Sequence, residues 1–126
     1  MTAKNARVLI VEDNPTSQDV LLQQVELLGL AGDCAKDGIE ALELWKMHSY
    51  SIILTDINMP LMDGCELARK IRKAEEMEGG HIPIIGVTDY AMPDDIQLYR
   101  DSGMDGHLAK PSKLDTLEDI LTQRMK

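Results

Sequence analysis

Six side chains capable of chemistry stand at the ends of four apolar runs: Glu12 and Asp13, then Asp56, then Thr88 and Asp89, then Lys110. Three carboxylates brought close together repel one another unless a cation neutralises them, so Glu12, Asp13 and Asp56 imply a metal. A donor set of oxygens with no His or Cys favours a hard ion, Mg²⁺ above others, held by one or two carboxylates and several waters. A hydroxyl from Thr88 and an ammonium from Lys110 add a half-shell of hydrogen-bonding and positive groups that suits a phosphoryl oxyanion. Carboxylates also act as nucleophiles that form aspartyl-phosphates, and Asp56 closes a middle run. Each residue has a plainer reading when taken singly. Asp13-Asn14-Pro15 can be a helix start, Asp56 a strand stop, Thr88 a turn hydroxyl and Lys110 a solvated lysine. Their joint placement favours the chemical reading.

The elements that must position them alternate along the chain. "RVLIV" (7–11) is a continuous apolar run, as expected of a strand covered on both faces. Asn14 is a plausible N-cap with Pro15 at the first helical position, and Leu21, Val25 and Leu28 recur on one helix face that Gly29 ends. A weaker strand around 31–35 precedes a helix carrying Ile39, Leu42 and Trp45. "SIILT" (51–55), "IPIIGVT" (82–88) and "GHLA" (106–109) read as further strands. Helices with Leu67 and Ile71 after Gly64, after Pro93, and with Leu114, Leu117 and Leu121 follow them in turn. "EEMEGGHIP" (75–83) reads as a loop. Five β-runs alternating with five helices call for a doubly wound α/β fold, a parallel sheet with helices on both faces. Such sheets bind ligands at the carboxyl ends of their strands, where all six side chains fall.

A chain of 126 residues, 44% hydrophobic and 28% charged, reads as one domain over 1–126. The net charge of −9 argues against direct nucleic-acid binding. No run approaches the length of a membrane span, and no signal-peptide pattern opens the chain, which suggests a cytoplasmic protein without membrane contact. Cys34 and Cys65 lack metal-site or disulfide spacing and read as small apolar side chains. His48 and His81 have no carboxylate or Cys partner at ligand spacing and read as surface residues.

"LIVEDN" (9–14), "LTDINMPLMDG" (54–64), "IIGVTDYA" (84–91) and "GMDGHLAKP" (103–111) together resemble the receiver domain of the two-component response-regulator family, over about Val8 to Leu121. The wording around Asp56 is most similar to receivers of hybrid sensor histidine kinases. The resemblance implies a flavodoxin-like five-stranded sheet in the order 2-1-3-4-5. It also implies Asp56 as phosphoacceptor, taking a phosphoryl group from a phosphohistidine of a histidine kinase or a histidine phosphotransfer domain. Asp13 then ligates Mg²⁺ directly, Glu12 acts through bound water, and Asn58 offers its main-chain carbonyl. Thr88 and Lys110 take phosphoryl oxygens, Thr88 moving inward on activation, and the face around strands four and five switches. The Lys110-Pro111 bond is expected to be cis, and Pro60 and Gly64 to shape the adjacent loop. A domain of this kind is not a turnover enzyme in isolation, though it catalyses its own phosphorylation and dephosphorylation. A weak or phosphorylation-dependent dimer fits the family, and the chain reads as a piece of a larger hybrid kinase.

Two positions depart from the family's pattern. His107 stands where Tyr or Phe is usual, and a smaller, titratable ring alters the coupling to Thr88. Asp89 stands where a small residue is common and adds negative charge beside the phosphoryl site; Tyr90 borders the same place. These departures keep open a pseudo-receiver used for protein contacts without phosphorylation. A haloacid dehalogenase-type phosphatase needs a second acid two residues past the nucleophile, where this chain has Asn58. A calcium loop fails at Pro60, and a dinucleotide-binding domain lacks its Gly-rich first turn.

Overall fold

The structure, a computed structural model, describes residues 7–89, 92–110 and 113–125. Its elements alternate without exception: β1 (Arg7–Val11), α1 (Pro15–Leu27), β2 (Ala31–Ala35), α2 (Gly38–Met47), β3 (Ile52–Asp56), α3 (Gly64–Glu78), β4 (Ile84–Thr88), α4 (Pro93–Asp101), β5 (Gly106–Ala109) and α5 (Leu114–Arg124). The strands form one parallel sheet in the order β2-β1-β3-β4-β5. This is the expected doubly wound arrangement. Order reverses between β1 and β3, and there the crevice at the carboxyl ends opens.

Alternation along the strands divides the core into two layers. Leu9, Val11, Ile53 and Ile84 pack with Ala41 of α2 and with Leu67, Ala68 and Ile71 of α3. Val8, Ile10, Ile52, Leu54, Ile85 and Leu108 pack with Leu21 and Val25 of α1 and with Leu117 and Leu121 of α5. A strand covered on both faces favours apolar residues at successive positions, which is why 8–11 of β1 and 52–54 of β3 read as continuous runs. Cys65 is buried and Cys34 half-buried, both as free thiols.

Local signals set the helix ends. The Asn14 side chain accepts from Ser17 N–H at 3.1 Å with Pro15 in the first turn, and Asp37 and Asp63 cap α2 and α3 in the same way. Gly29, at φ 84°, takes the left-handed turn after α1.

Several expectations need correction. α3 runs on to Glu78, so 75–78 is helix rather than loop. Glu75 is buried, accepting from Arg72 Nη1 and from Ile82 N–H at 2.7 Å each. Ile39 is exposed, and Ala41 instead faces the core from α2. His81 is a surface residue as expected, and the fold adds a partner that no sequence spacing shows: its Nε2 lies 2.7 Å from Asp105 Oδ1. Among the described residues no helix is long and apolar enough to cross a membrane.

Candidate phosphoacceptor site

Asp56 is the last residue of β3, not a stop beyond it, and it is almost wholly buried. The Asp56 Oδ1 atom accepts from Ile57 N–H at 2.8 Å and lies 3.1 Å from Lys110 Nζ. The same ammonium stands 3.0 Å from Glu12 Oε1. Lys110 is delivered from the end of β5, where its N–H donates to the Thr88 carbonyl at 2.9 Å. One ammonium thus bridges the ends of β1 and β3.

Glu12 is fixed just beyond β1. Its N–H donates to Ala35 O at 2.9 Å, its Oε2 accepts from Asn14 N–H at 3.1 Å, and its carbonyl accepts from Gln18 Nε2. The other carboxylate oxygen, Oε1, is buried, close to Lys110 but without the alignment of a hydrogen bond. Burial pushes the Glu12 carboxyl above the usual carboxylate range and the charge of Asp56 adds to this, outweighing the Asn14 N–H and Lys110. Burial works against the Lys110 ammonium, yet Glu12 and Asp56 together hold its pKa above the ordinary lysine value.

Asp13 is exposed and offers a third carboxylate: oxygens of Glu12, Asp13 and Asp56 lie within 4.8 Å of one another. Three carboxylates against one ammonium leave two negative charges in excess, and among the described residues the buried Glu12 Oε1 has no well-aligned hydrogen-bond donor. An all-oxygen cluster with that charge fits a divalent hard cation such as Mg²⁺. The surrounding cleft, about 520 Å³, is also lined by Asn14, Ser17 and Asp89.

The other expected positions divide. Asp89 is exposed and borders the cleft. Asn58 is exposed, two residues past Asp56. Thr88 closes β4 and is buried, and its hydroxyl lies 3.1 Å from the Tyr99 hydroxyl of α4. His107 is half-buried in β5 beside Gly86 of β4, and lines a cavity on the α4 and α5 side rather than the acidic cleft. Tyr90 and Pro111, with the Lys110-Pro111 peptide, fall outside the described residues. Sequence reasoning missed Tyr99 and Gln18. Neither carries a motif, and only the folded distances reveal them.

The loop after β3 is tightly built. Gly64 N–H donates to Ile57 O at 2.8 Å, and a Cβ on Gly64 would run into the Asp56 carbonyl. Between them Met62 N–H donates to Pro60 O at 2.8 Å across Leu61, whose φ of 71° is a strained γ-turn value for a leucine. Pro60 and Gly64 do shape this loop.

The model of the response regulator receiver domain family matches residues 8–122, and the chain belongs to that family. It is a receiver domain of two-component signalling. Over 115 residues it is 38% identical to the sensor histidine kinase RcsC of Escherichia coli K12, covering 91% of this chain but 12% of that protein, so it spans about an eighth of that relative's length. Its fold matches the receiver domain of the sensor histidine kinase PA1611 from Pseudomonas aeruginosa PAO1, whose structure has magnesium coordinated in the active-site cleft. The TM-score is 0.86 at 34% identity, covering 95% of this chain and 97% of that one. A chain in the co-crystal structure of the Saccharomyces cerevisiae histidine phosphotransfer protein Ypd1 with the receiver domain of Ssk1 matches with TM-score 0.90 and 29% identity, covering 95% and 88%.

Proposed function

We propose that Asp56 accepts a phosphoryl group from a phosphohistidine on a histidine kinase or histidine phosphotransfer partner. The single observation that carries this reading is the Lys110 ammonium seated between Asp56 and Glu12 at 3.1 and 3.0 Å, within a cluster of three carboxylates. Ile57 N–H and Lys110 both hold Asp56 Oδ1. Oδ2 is the oxygen left for bonding to phosphorus. The new bond joins that oxygen to phosphorus as the nitrogen–phosphorus bond of the donor breaks, and the electron pair returns to the imidazole.

Glu12, Asp13 and Asp56, with the main-chain carbonyl of Asn58, are the groups that would hold Mg²⁺. The ion supplies charge neutralisation for phosphoryl oxygens when bound. Lys110 steadies one phosphoryl oxygen, and Thr88 donates its hydroxyl to another. Asn58 cannot serve as the leaving-group acid of a phosphatase. The phosphoryl group adds about −1.5 to −2 charge, and drawing Thr88 toward it shifts the face of β4, β5 and their helices between two packings. The chain acts as one receiver unit over residues 1–126, cytoplasmic, within a hybrid kinase phosphorelay; the likeness to RcsC and to the PA1611 receiver supports that setting.

Incubation with Mg²⁺ and acetyl phosphate, followed by intact-mass measurement, tests the reading. One phosphoryl adduct is expected in the wild type and none in Asp56→Asn. An adduct that survives Asp56→Asn, or no adduct in the wild type, overturns it.

A further inference from the structure

The Thr88 hydroxyl, needed at the phosphoryl site, lies at rest 3.1 Å from the hydroxyl of Tyr99. Both residues are buried, Thr88 at 3% exposure and Tyr99 at 6%, so neither hydroxyl can exchange this partner freely for water. Tyr99 sits in α4 and its ring packs in the core layer that holds Ile57, Ile84 and Met104. Tyr99 also borders a cavity of about 300 Å³, together with Ile96, His107, Ile120 and Arg124. The β4 residue beside His107 is Gly86, which has no side chain for the imidazole to press on. A path from the end of β4 to a helix therefore runs through a hydroxyl pair, and the residue at its far end borders a cavity.

We propose that Tyr99 is a positioning residue that holds the Thr88 hydroxyl at rest, and that occupation of Asp56 takes this hydroxyl away and releases the Tyr99 ring toward the cavity. A phosphoryl oxygen only accepts hydrogen bonds, so Thr88 must donate to it. Either hydroxyl can be the donor at rest, so it is the displacement of the Thr88 oxygen toward the phosphoryl group that comes at the expense of the bond to Tyr99. Release moves α4, which makes Tyr99, rather than His107, the side chain that carries phosphorylation to the surface. The inference rests on the phosphoacceptor reading and assigns its output element.

The test compares wild type with Tyr99→Phe, which keeps the ring and removes the hydroxyl. In saturating Mg²⁺, beryllofluoride is titrated as the phosphoryl mimic and followed by the amide signals of β3 and β4. With a competing hydrogen bond removed, Tyr99→Phe should bind about fivefold more tightly, the factor that a net bond of ordinary strength represents. In a Thr88→Val background the same substitution should change affinity by less than about twofold, because the pair is already broken. Unchanged or weaker binding by Tyr99→Phe overturns the proposal, as does an equal effect in both backgrounds. Should Tyr99→Phe fold poorly, the ring carbon signal of Tyr99 in the wild type decides: it should move on beryllofluoride saturation and on Thr88→Val. An Asp56-dependent acetyl phosphate adduct with an unmoved Tyr99 signal overturns this inference alone. Absence of any such adduct overturns the phosphoacceptor reading and this inference with it.

Discussion

At the scale of the residue, the site is a problem of charge. Glu12 and Asp56 share one ammonium, Asp13 brings a third carboxylate within 4.8 Å of theirs, and Asp89 adds a fourth on the rim of the same cleft. An exposed charge of this kind acts mainly on approach, because its field is screened over about 8–10 Å at ordinary ionic strength. Asp89→Ala should therefore speed the initial phosphorylation by acetyl phosphate, an anion, by about two- to fivefold at low salt, with the advantage fading as salt rises. Initial rates by intact mass across a salt series check this; identical rates at low salt would count against it. The acidic positions were legible in sequence because each stands at the end of an apolar run. Their bridging by Lys110 was legible only in outline, since a distance between β1, β3 and β5 is a property of the folded sheet. Tyr99 was not legible at all: a tyrosine in an amphipathic helix has many ordinary uses, and nothing in its neighbours marks a hydroxyl partner eleven residues back.

At the scale of the element, the strand-to-helix connection after β3 matters most. Gly64 closes it against Ile57, and its missing side chain lets the start of α3 lie directly on the Asp56 carbonyl. A methyl there must displace main chain on both sides. Gly64→Ala should cost about 1–3 kcal/mol in chemical denaturation, the range of overpacking, and should slow phosphorylation through the shifted acceptor. A variant with wild-type midpoint and rate would refute this role. The elements themselves were largely readable, since β1 and β3 carry the apolar runs 8–11 and 52–54 and α1 carries its cap and terminal glycine. The error at 75–78 has a physical cause. Local composition there is charged and ends in Gly79-Gly80, which reads as loop, but the Glu75 carboxylate takes Arg72 and Ile82 N–H and extends α3 by a turn. Ile39 misled for the opposite reason: its type belongs in a core, but the buried α2 residues are the small Gly38, which lies against Met62 of the loop after β3, and Ala41, which packs in the core layer with Leu9 and Val11.

At the scale of the whole molecule, the sheet is tied at the entry ends of its strands. Asp33 of β2 pairs with Arg7 of β1 at 3.2 Å and accepts from the Tyr50 hydroxyl at 2.8 Å, just before β3. Burial pushes Asp33 up, but the Arg7 and Tyr50 bonds outweigh it and its pKa lies below the ordinary value. Burial, then Asp33, push the Tyr50 phenol from 10.0 up to about 12. The folded state thus keeps the Tyr50 proton where the unfolded chain loses it. This contribution to stability is complete below pH 10 and disappears as pH rises toward 12. That of Asp33 is present above the ordinary aspartate value and is lost as pH falls through its lowered one. Urea midpoints followed through the alkaline range should fall more steeply in wild type than in Tyr50→Phe; parallel curves would contradict the assignment. The doubly wound order follows from alternating β and α patterns, whereas this polar tie, like that of His81 to Asp105, joins residues the sequence keeps far apart.

A further tie at that end is Arg72. Its guanidinium donates to the Gly103 carbonyl, to Glu75 and to Asp105, while Asp105 also receives Ile84 N–H at 2.8 Å. α3, the start of β4 and the approach to β5 are thereby riveted together at the edge opposite Asp56. With their ladder continuing to Thr88 and Ala109 and Lys110 N–H closing it on the Thr88 carbonyl, β4 and β5 make one stiff leaf, pinned at the spine by Arg72. A leaf so held does not fold, and a displacement of the Thr88 side chain would pass to what rests on it, the Tyr99 ring of α4.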